Sequence, residues 1–228
     1  MTRISVVIPA YNEENAIANV IAEIPTIINE IVVVNNNSTD ATVAVAQAAG
    51  ATVLTENNKG YGYACLKGLA YLKAGNTPDI VVFLDGDYSD YPKELNLLVQ
   101  PIIDNKVDFV VGARVKEKRE EGSLTPQQIF GNWLACYLMR LLFKSEFTDL
   151  GPFRAIRWET LEALEMGDKT YGWTVEMQLK ALRQKIPYQE IPVSYKKRIG
   201  VSKVSGTVKG TIFAGAKIIG WIFKHYLS

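Results

Sequence analysis

Two carboxylates stand directly after an apolar, strand-like run in the middle of the chain. Residues 81–84 are Val, Val, Phe and Leu, and Asp85 and Asp87 follow with Gly86 between them. Because glycine lets the turn bend sharply, carboxylates at positions i and i+2 can converge on one hard cation. Mg²⁺ and Mn²⁺ complete such a shell with water and substrate phosphate. The spacing predicts a metal site for a nucleotide diphosphate; the alternative is an acidic turn capping a helix that begins near Pro92.

The composition is that of one compact domain. Nearly half of the 228 residues are apolar, which is enough for a substantial core. The formal net charge is +1, so no basic excess points to nucleic-acid binding. Met1 leads into a strand-like run at Ile4 without the regions of a signal peptide, so we expect no secretion by that route.

Few residues are available for redox, zinc or histidine chemistry. Cys65 and Cys136 lie far apart in apolar helical contexts, which argues against a disulfide framework or a zinc site. The single histidine, His225, lies near the end of the chain, which argues against a Ser-His-Asp triad and a His-ligated metal. We therefore expect a reduced, cytoplasmic setting.

Strand-like and helix-like segments alternate through the first half of the chain. Predicted strands cover residues 4–8, 31–34, 52–54, 80–84 and 107–111, and predicted helices cover 13–25, 41–49, 62–73 and 92–103. Apolar strands that alternate with helices indicate an α/β fold with a mostly parallel sheet flanked by helices. Ligands of such sheets bind at the carboxyl ends of the strands. The candidate binding loops are therefore residues 9–13, 35–40, 56–62 and 85–90.

The second half begins with a long charged segment. Residues 113–128 interleave Arg and Lys with Glu, and a helix is predicted from about 127 to 143. We expect this segment to act as a lid over the site; the alternative is a solvated surface loop. Further helices are predicted at 158–166 and 174–184, and a strand at 188–195.

Two later segments carry basic residues. Residues 196–203 combine Arg198 and Lys203 with a flexible Gly200, which suits a phosphate ligand, although a plain surface loop remains the alternative. Residues 210–227 are apolar but interrupted by Lys217, too short a run to cross a membrane. We expect an amphipathic helix that lies in the membrane interface or docks on the core or on another subunit. The predicted domain covers 1–206, with a donor half to about 112 and an acceptor half from 113, followed by the helix at 207–228.

With these loops placed, the chain resembles the family 2 glycosyltransferases of GT-A fold. Within them it resembles the polyprenyl-phosphate (dolichol-phosphate) mannosyl- and glucosyltransferase branch. The likeness is carried by residues 7–14, by 34–40 with the pattern Val-Asn-Asn-Asn-Ser-Thr-Asp, by Asp85-Gly86-Asp87, by Phe153-Arg154 after Asp149, and by Gly200-Val201-Ser202-Lys203. The Gly-x-Ser-Lys stretch favours a lipid-phosphate acceptor.

The resemblance implies a role for each matching residue. The nucleoside pocket would be lined by Pro9, Tyr11 and Glu13, and the base addressed by Asn35 and Asn36. Asp85 and Asp87 would hold Mg²⁺ or Mn²⁺ on the donor diphosphate. The phosphate oxygens of donor and acceptor would be bound by Arg114, Arg154, Arg198, Ser202 and Lys203. Asp40 and Lys59 complete the expected donor-binding set.

One departure from the family concerns the second loop. The paired Asp of the family is Asn35-Asn36 here. An amide offers one donor and one acceptor, whereas a carboxylate offers only acceptors to the N–H groups of guanine. The exchange favours UDP over GDP as the donor nucleotide.

The resemblance implies inverting transfer of a hexose from a nucleotide-diphosphate sugar to a polyprenyl phosphate on the cytoplasmic face of a membrane. A phosphate acceptor is already ionised near neutrality and needs no strong general base. A hydroxyl acceptor would need one, and the candidates are Asp149, Asp90 and Glu176. A non-catalytic nucleotide-sugar-binding subunit is the alternative outside the enzymes. A homo-oligomer is compatible with either.

Overall fold

The computed structural model describes residues 2–200 and 208–227. The strands in these residues are Ile4–Ala10 (β1), Glu30–Asn35 (β2), Thr52–Thr55 (β3), Ile80–Phe83 (β4), Phe109–Ala113 (β5), Arg154–Arg157 (β6) and Tyr188–Pro192 (β7). The α-helices are Ile17–Ala22 (α1), Thr42–Ala48 (α2), Tyr61–Ala74 (α3), Leu95–Ile103 (α4), Pro126–Phe143 (α5), Trp158–Ala163 (α6), Trp173–Arg183 (α7) and Val208–Leu227 (α8).

The strands form one mixed sheet. Its order is β3-β2-β1-β4-β6-β5-β7, and every pair is parallel except those that β6 makes with β4 and β5. In the centre, Val7 lies opposite Val32 on one side and Phe83 on the other. The predicted α/β fold with a mostly parallel sheet is confirmed.

Sequence patterns did not predict β6. This strand has only Ala155 and Ile156 between two arginines, and so lacks an apolar run. It forms because Arg154 at one end is fully buried, while Arg157 at the other end donates to Asp108 at 2.8 Å. Asp108 lies 49 positions from Arg157 in the chain, so a local sequence pattern cannot reveal this contact.

The core consists of two layers, one on each face of the sheet. Val7, Val32 and Val81 pack towards α3, α5, α6, α7 and α8, whereas Val6 and Val33 pack towards α1, α2 and α4. Successive strand residues point to opposite faces, so strands covered on both sides must be apolar throughout. The unbroken apolar runs in the sequence follow from this arrangement.

The structure shows where α4, α5 and α2 begin and which residues cap them. Residues 92–94 form a 3₁₀ turn, and α4 begins at Leu95. Helix α5 begins with a capping box, in which Thr125 accepts from the Gln128 N–H at 3.2 Å and Gln128 accepts from the Thr125 N–H at 2.8 Å. The N-cap residue of α2 is Ala41, and the preceding Asp40 accepts from the Thr42 N–H at 3.0 Å.

Helix α8 packs on α5 and α7 and is fixed by one buried carboxylate. Asp168 lies 2.7 Å from Lys217 Nζ, and its Oδ2 accepts from Trp221 Nε1 at 2.8 Å. Ile222 is fully buried in the same contact. The inner face of α8 is therefore docked on the core, as one of the two predicted alternatives has it. Among the described residues, no helix combines the length and apolar character of a membrane span.

Candidate active site

Four loops meet at the carboxyl edge of the parallel strands. They follow β1, β2, β3 and β4, which lie side by side in the sheet, and so their first residues end at the same edge. The loop after β4 contains Asp85 and Asp87, and the loop after β1 contains Glu13. The predicted candidate loops therefore lie together.

The turn after β4 holds its carboxylates in different surroundings. Asp87 is buried, and its Oδ1 accepts from the Ser89 N–H at 2.9 Å and the Ser89 hydroxyl at 2.5 Å. Burial and the negative charge of Asp87 raise the pKa of Asp85 to about 6. The residue of this turn with a left-handed backbone is Tyr88, with φ of 60°.

Arg198 joins this turn to the first loop. Its Nη2 lies 3.1 Å from Asp87 Oδ2 and 3.2 Å from Glu13 Oε1. Backbone hydrogen bonds hold the arginine there, since the Ile199 N–H donates to the Asp87 carbonyl and the Lys196 N–H to that of Ser89. Glu13 and Arg198 were predicted as site residues from separate segments. They lie 185 positions apart in the chain, and the fold brings them into contact.

Arg114 and Asp149 form a bidentate pair beside this group. Arg114 Nε donates to Asp149 Oδ2 at 2.8 Å, and Nη2 to Oδ1 at 2.6 Å. Burial alone would raise the pKa of Asp149, but the guanidinium holds this pKa below its usual range. The Arg114 guanidinium also lies 5.2 Å from the ring centre of Tyr195. The pair leaves Asp149 poorly suited to accept a proton.

Arg154 does not fit the predicted contact with phosphate. Its side chain is fully buried and donates to the carbonyls of Gly151 at 3.1 Å, Thr174 at 3.0 Å and Leu150 at 3.3 Å. Burial lowers the pKa of Arg154 to about 10, so the group stays charged near neutrality. We correct the expectation: Arg154 holds the backbone around residues 150–151 and is a positioning residue.

Asn36 also differs from its predicted role. Its Nδ2 donates to the carbonyls of Glu56 at 3.1 Å and Asn58 at 2.7 Å, and its Oδ1 accepts from the Gly60 N–H at 2.8 Å. The amide is thus engaged with the loop after β3 and does not fit the expected contact with a base. Asn35 accepts from the Ser38 N–H at 2.9 Å and shapes its own loop.

The remaining predicted donor residues lie along the same edge. Pro9 pairs with Val34 at the end of β1, and Tyr11 follows it, half-buried, with Lys59 Nζ 6.0 Å from its ring centre. Asp40 accepts from the Glu14 N–H at 3.2 Å and so ties the first loop to the second. These positions are those expected for a nucleoside pocket, and their binding roles stay predictions. Ser202 and Lys203 lie outside the described residues.

The three carboxylates considered as general bases have different partners. Glu176 accepts from the backbone N–H groups of residues 167 and 168 and pairs with Lys180 at 2.9 Å. Asp149 is bound by Arg114, as described. Asp90 is 2% exposed, and neither of its oxygens has a hydrogen-bond partner among the described residues. Burial, together with Asp85 and Asp87, raises the pKa of Asp90 well above its usual range.

The charged segment expected to form a lid is fixed to the neighbouring segment. The Glu120 N–H donates to the Tyr195 carbonyl at 2.8 Å, and the Tyr195 N–H to that of Lys118 at 3.1 Å. Glu120 also accepts from the Lys197 N–H at 2.8 Å. Its lid function stays a prediction.

Sequence reasoning missed the residues that orient the site. Ser89 donates to Asp87, as described. Glu190 accepts from the N–H groups of Thr148 and Asp149 at 2.9 and 3.0 Å, and Gln178 donates to the Asp149 carbonyl at 2.9 Å. Nothing in their local sequence marks these residues, because they act through tertiary contacts.

Comparison with known proteins identifies relatives over nearly the whole chain. The model of Glycosyl transferase family 2 matches residues 5–164. A glycosyltransferase of Mycobacterium tuberculosis is 35% identical over 213 residues, covering 92% of this chain and 94% of the relative. The dolichyl-phosphate hexose transferase of Haloferax volcanii is 30% identical over 225 residues, covering 95% of this chain and 90% of the relative.

A solved structure shares the fold. Glucosyl-3-phosphoglycerate synthase from Mycobacterium tuberculosis, in complex with Mn²⁺, UDP and glucosyl-3-phosphoglycerate, superposes with a TM-score of 0.78 at 22% identity, covering 98% of this chain and 80% of that one. The GT-A fold and the predicted resemblance to the polyprenyl-phosphate branch are confirmed. With its motifs gathered at one edge of such a sheet, the chain belongs to glycosyltransferase family 2 and is a glycosyltransferase.

Proposed function

We propose that the protein transfers a hexose from a nucleotide-diphosphate sugar to a polyprenyl phosphate with inversion at the anomeric carbon. One observation carries the donor site. Asp85 Oδ1 and Arg198 Nε are both buried, and neither has a hydrogen-bond partner among the described residues. Buried polar atoms normally have hydrogen-bond partners, so these two atoms suit a bound ligand. The acceptor would bind a cation, and the donor would bind an anion. A metal-bound diphosphate is such a ligand.

The residues present fit Mg²⁺ or Mn²⁺. Mg²⁺ usually takes one or two protein carboxylates and keeps the remaining positions for water and substrate phosphate. Asp85 has the open oxygen, and Asp87 is adjacent with Oδ2 paired only to Arg198 among its described contacts. The described residues contain no group of three or more acidic, His or Cys side chains that could hold a metal ion by themselves. The ion would neutralise charge on the leaving diphosphate.

The arginines position the two phosphate groups. Arg198 stands between Glu13 and Asp87, where its Nε can donate to a diphosphate oxygen. Arg114 is held in one orientation by Asp149, which fixes the rest of its guanidinium for a second anion. The acceptor phosphate has a second pKa of about 6 and attacks without a strong base. Positioning and charge stabilisation are then the main contributions of the protein.

The identity of donor and acceptor rests on the relatives. The dolichyl-phosphate hexose transferase supports a polyprenyl-phosphate acceptor, and hence action at a membrane surface. Action on the cytoplasmic face stays a prediction. The UDP complex of the structural neighbour supports UDP as the donor nucleotide.

A second candidate function is transfer to a hydroxyl group. One observation favours it: Asp90 is a buried carboxyl group with both oxygens open among the described residues, beside the metal-binding turn. Burial and the charges of Asp85 and Asp87 raise its pKa, which makes it a stronger base than an ordinary carboxylate. Of the three carboxylates considered as bases, Asp90 is the one that the surrounding hydrogen bonds leave available.

The donor site is tested by calorimetric titration of UDP and GDP, each with and without Mn²⁺. We expect Mn²⁺-dependent binding of UDP that weakens at least about tenfold in Asp87→Asn, because a charged contact is lost. Asp79→Asn is the matched control: this exposed Asp precedes the same strand at its opposite end. Metal-independent binding, or equal weakening in both variants, contradicts the donor site.

The acceptor is tested by supplying UDP-hexoses with geranyl phosphate, geraniol or 3-phosphoglycerate. Transfer to geranyl phosphate that persists in Asp90→Asn supports the proposed function. Transfer only to a hydroxyl acceptor, lost in Asp90→Asn, supports the second candidate. Binding of UDP without transfer to any acceptor would favour a non-catalytic subunit.

A further inference from the structure

The outer side of α5 exposes a continuous apolar stripe. Phe130, Trp133, Tyr137 and Leu141 are 60, 56, 49 and 66% exposed. Their spacing of three or four residues places them on one face of the helix. The ring centres of Phe130 and Trp133 lie 5.9 Å apart, and those of Trp133 and Tyr137 lie 5.6 Å apart. We call these four residues the aromatic stripe.

Helix α8 exposes a second stripe beside the first. Its exposed positions include Phe213, Ala216, Gly220, Phe223 and Leu227, again spaced by three or four residues. The two helices pack together, and Phe143 at the end of α5 meets Tyr226 of α8 edge to face with ring centres 6.0 Å apart. The two stripes thus lie on adjacent helices.

Charge distinguishes between the possible occupants of this surface. Neither α5 nor α8 contains an Asp or Glu, whereas Arg140 and Lys224 are basic and exposed. A second copy of the chain would oppose like charges across the contact. An anionic lipid surface complements the basic residues and accepts aromatic side chains at headgroup depth.

We propose that the aromatic stripe of α5 and the exposed stripe of α8 together dock the protein on an anionic lipid surface. The inference rests on the proposed function in that a polyprenyl-phosphate acceptor places the reaction at a membrane. It extends that function by assigning α5, which the sequence marked only as a helix, as a docking element.

The same helix supports the active site from its other side. The Asn132 amide donates to the Thr148 carbonyl at 3.1 Å and accepts from the Leu150 N–H at 2.9 Å. These two residues flank Asp149, which orients Arg114. The lipid-docking helix and the phosphate-positioning arginine are therefore linked through Asn132, the segment 148–150 and Asp149.

The test is co-sedimentation with vesicles of equal parts phosphatidylglycerol and phosphatidylcholine, and with vesicles of phosphatidylcholine alone. We expect the wild type to bind the anionic vesicles more strongly. The double variant Trp133→Glu with Tyr137→Glu should bind at least about tenfold less, because two charges replace the apolar contact. Leu97→Glu is the matched control, an exposed apolar residue on α4, and should bind as the wild type does. Circular dichroism checks that each variant is folded.

Three outcomes would overturn the inference. The first is a wild-type protein that does not bind vesicles. The second is a folded double variant that binds vesicles as strongly as Leu97→Glu does. The third is a wild-type protein that binds no vesicles but sediments as a dimer, with the double variant sedimenting as a monomer. Transfer to water-soluble geranyl phosphate separates this inference from the proposed function. That transfer should be unchanged in the double variant; its absence from the wild type, with vesicle binding intact, would reject the proposed function alone.

Discussion

The amide of Asn36 makes contacts that a carboxylate could not make. Its nitrogen donates to the carbonyls of Glu56 and Asn58, where an ionised Asp would place a negative charge against two acceptors. The departure from the paired Asp of the family thus has a structural consequence in the loop after β3. Selection of the base is a separate matter, which the titration with UDP and GDP addresses.

Asp90 provides a prediction for stability against pH. Because its pKa is raised in the folded protein, folding opposes ionisation of this group at any pH above its unfolded pKa of about 3.9. Asp90→Asn removes that cost, and we expect Tm at pH 7 to rise by about 2–4 °C for a chain of this size. The gain should shrink as pH falls towards 4 and vanish below the unfolded pKa, where the carboxyl is neutral in both states.

Thermal unfolding followed by circular dichroism from pH 4 to pH 7.5 measures this effect. Asp79→Asn, at an exposed site, is the control. A gain in Asp90→Asn that stays constant across the range would show that ionisation is not its cause.

The sequence was sufficient to predict those site residues that are recognised by their type and by their position after a strand. Asp85, Asp87, Glu13, Arg114 and Arg198 were all singled out from their places in the sequence, and the structure gathers them at one edge. Arg154 was not interpreted correctly, because an arginine in a motif looks the same whether its donors face a ligand or backbone carbonyls. Only the fold brings the carbonyls of residues 150, 151 and 174 around it.

At the scale of the elements, one buried side chain connects α8 to the core. Asp168 is buried and receives Lys217 and Trp221 from α8 on one oxygen and the N–H groups of Thr170 and Gly172 on the other. Burial alone would raise the pKa of Asp168, but these donors hold it below its usual range. The contribution is therefore present above the unfolded pKa of about 3.9 and is lost as the pH falls through the folded value.

We expect Asp168→Asn to loosen α8 without unfolding the sheet. Loss of the charged contacts should accelerate hydrogen exchange of the α8 amides by about tenfold or more, while amides of β1 and β4 keep their protection. Exchange followed by mass spectrometry measures both regions, with Asp104→Asn at the exposed end of α4 as the control. Equal acceleration in the sheet would instead indicate global destabilisation.

At the scale of the whole molecule, one sheet runs through both predicted halves. β4 of the first half pairs with β6 of the second, and β5 pairs with β7. The division into a donor half and an acceptor half stays a prediction. Continuous pairing across the boundary leads us to expect one cooperative unfolding transition.

A bound donor should therefore stabilise the entire domain. UDP with Mn²⁺ at about one hundred times its Kd should stabilise the folded state by about 2.7 kcal/mol. In a chain of this size that raises Tm by about 5–10 °C. Scanning calorimetry measures the shift, and Asp87→Asn should show little of it. Two separate transitions, with only one shifted by UDP, would contradict a single cooperative unit.

The position of β6 determines what an incomplete chain can do. β6 lies between β4 and β5 although it follows both in the sequence. Until residues 154–157 leave the ribosome, β4 therefore presents an open edge of unpaired backbone groups, and β5 has neither neighbour. Such edges template pairing with other chains. A fragment ending near residue 150 would thus be a prime candidate for aggregation, and the first half of the chain should not be expected to serve as an independent nucleotide-binding module.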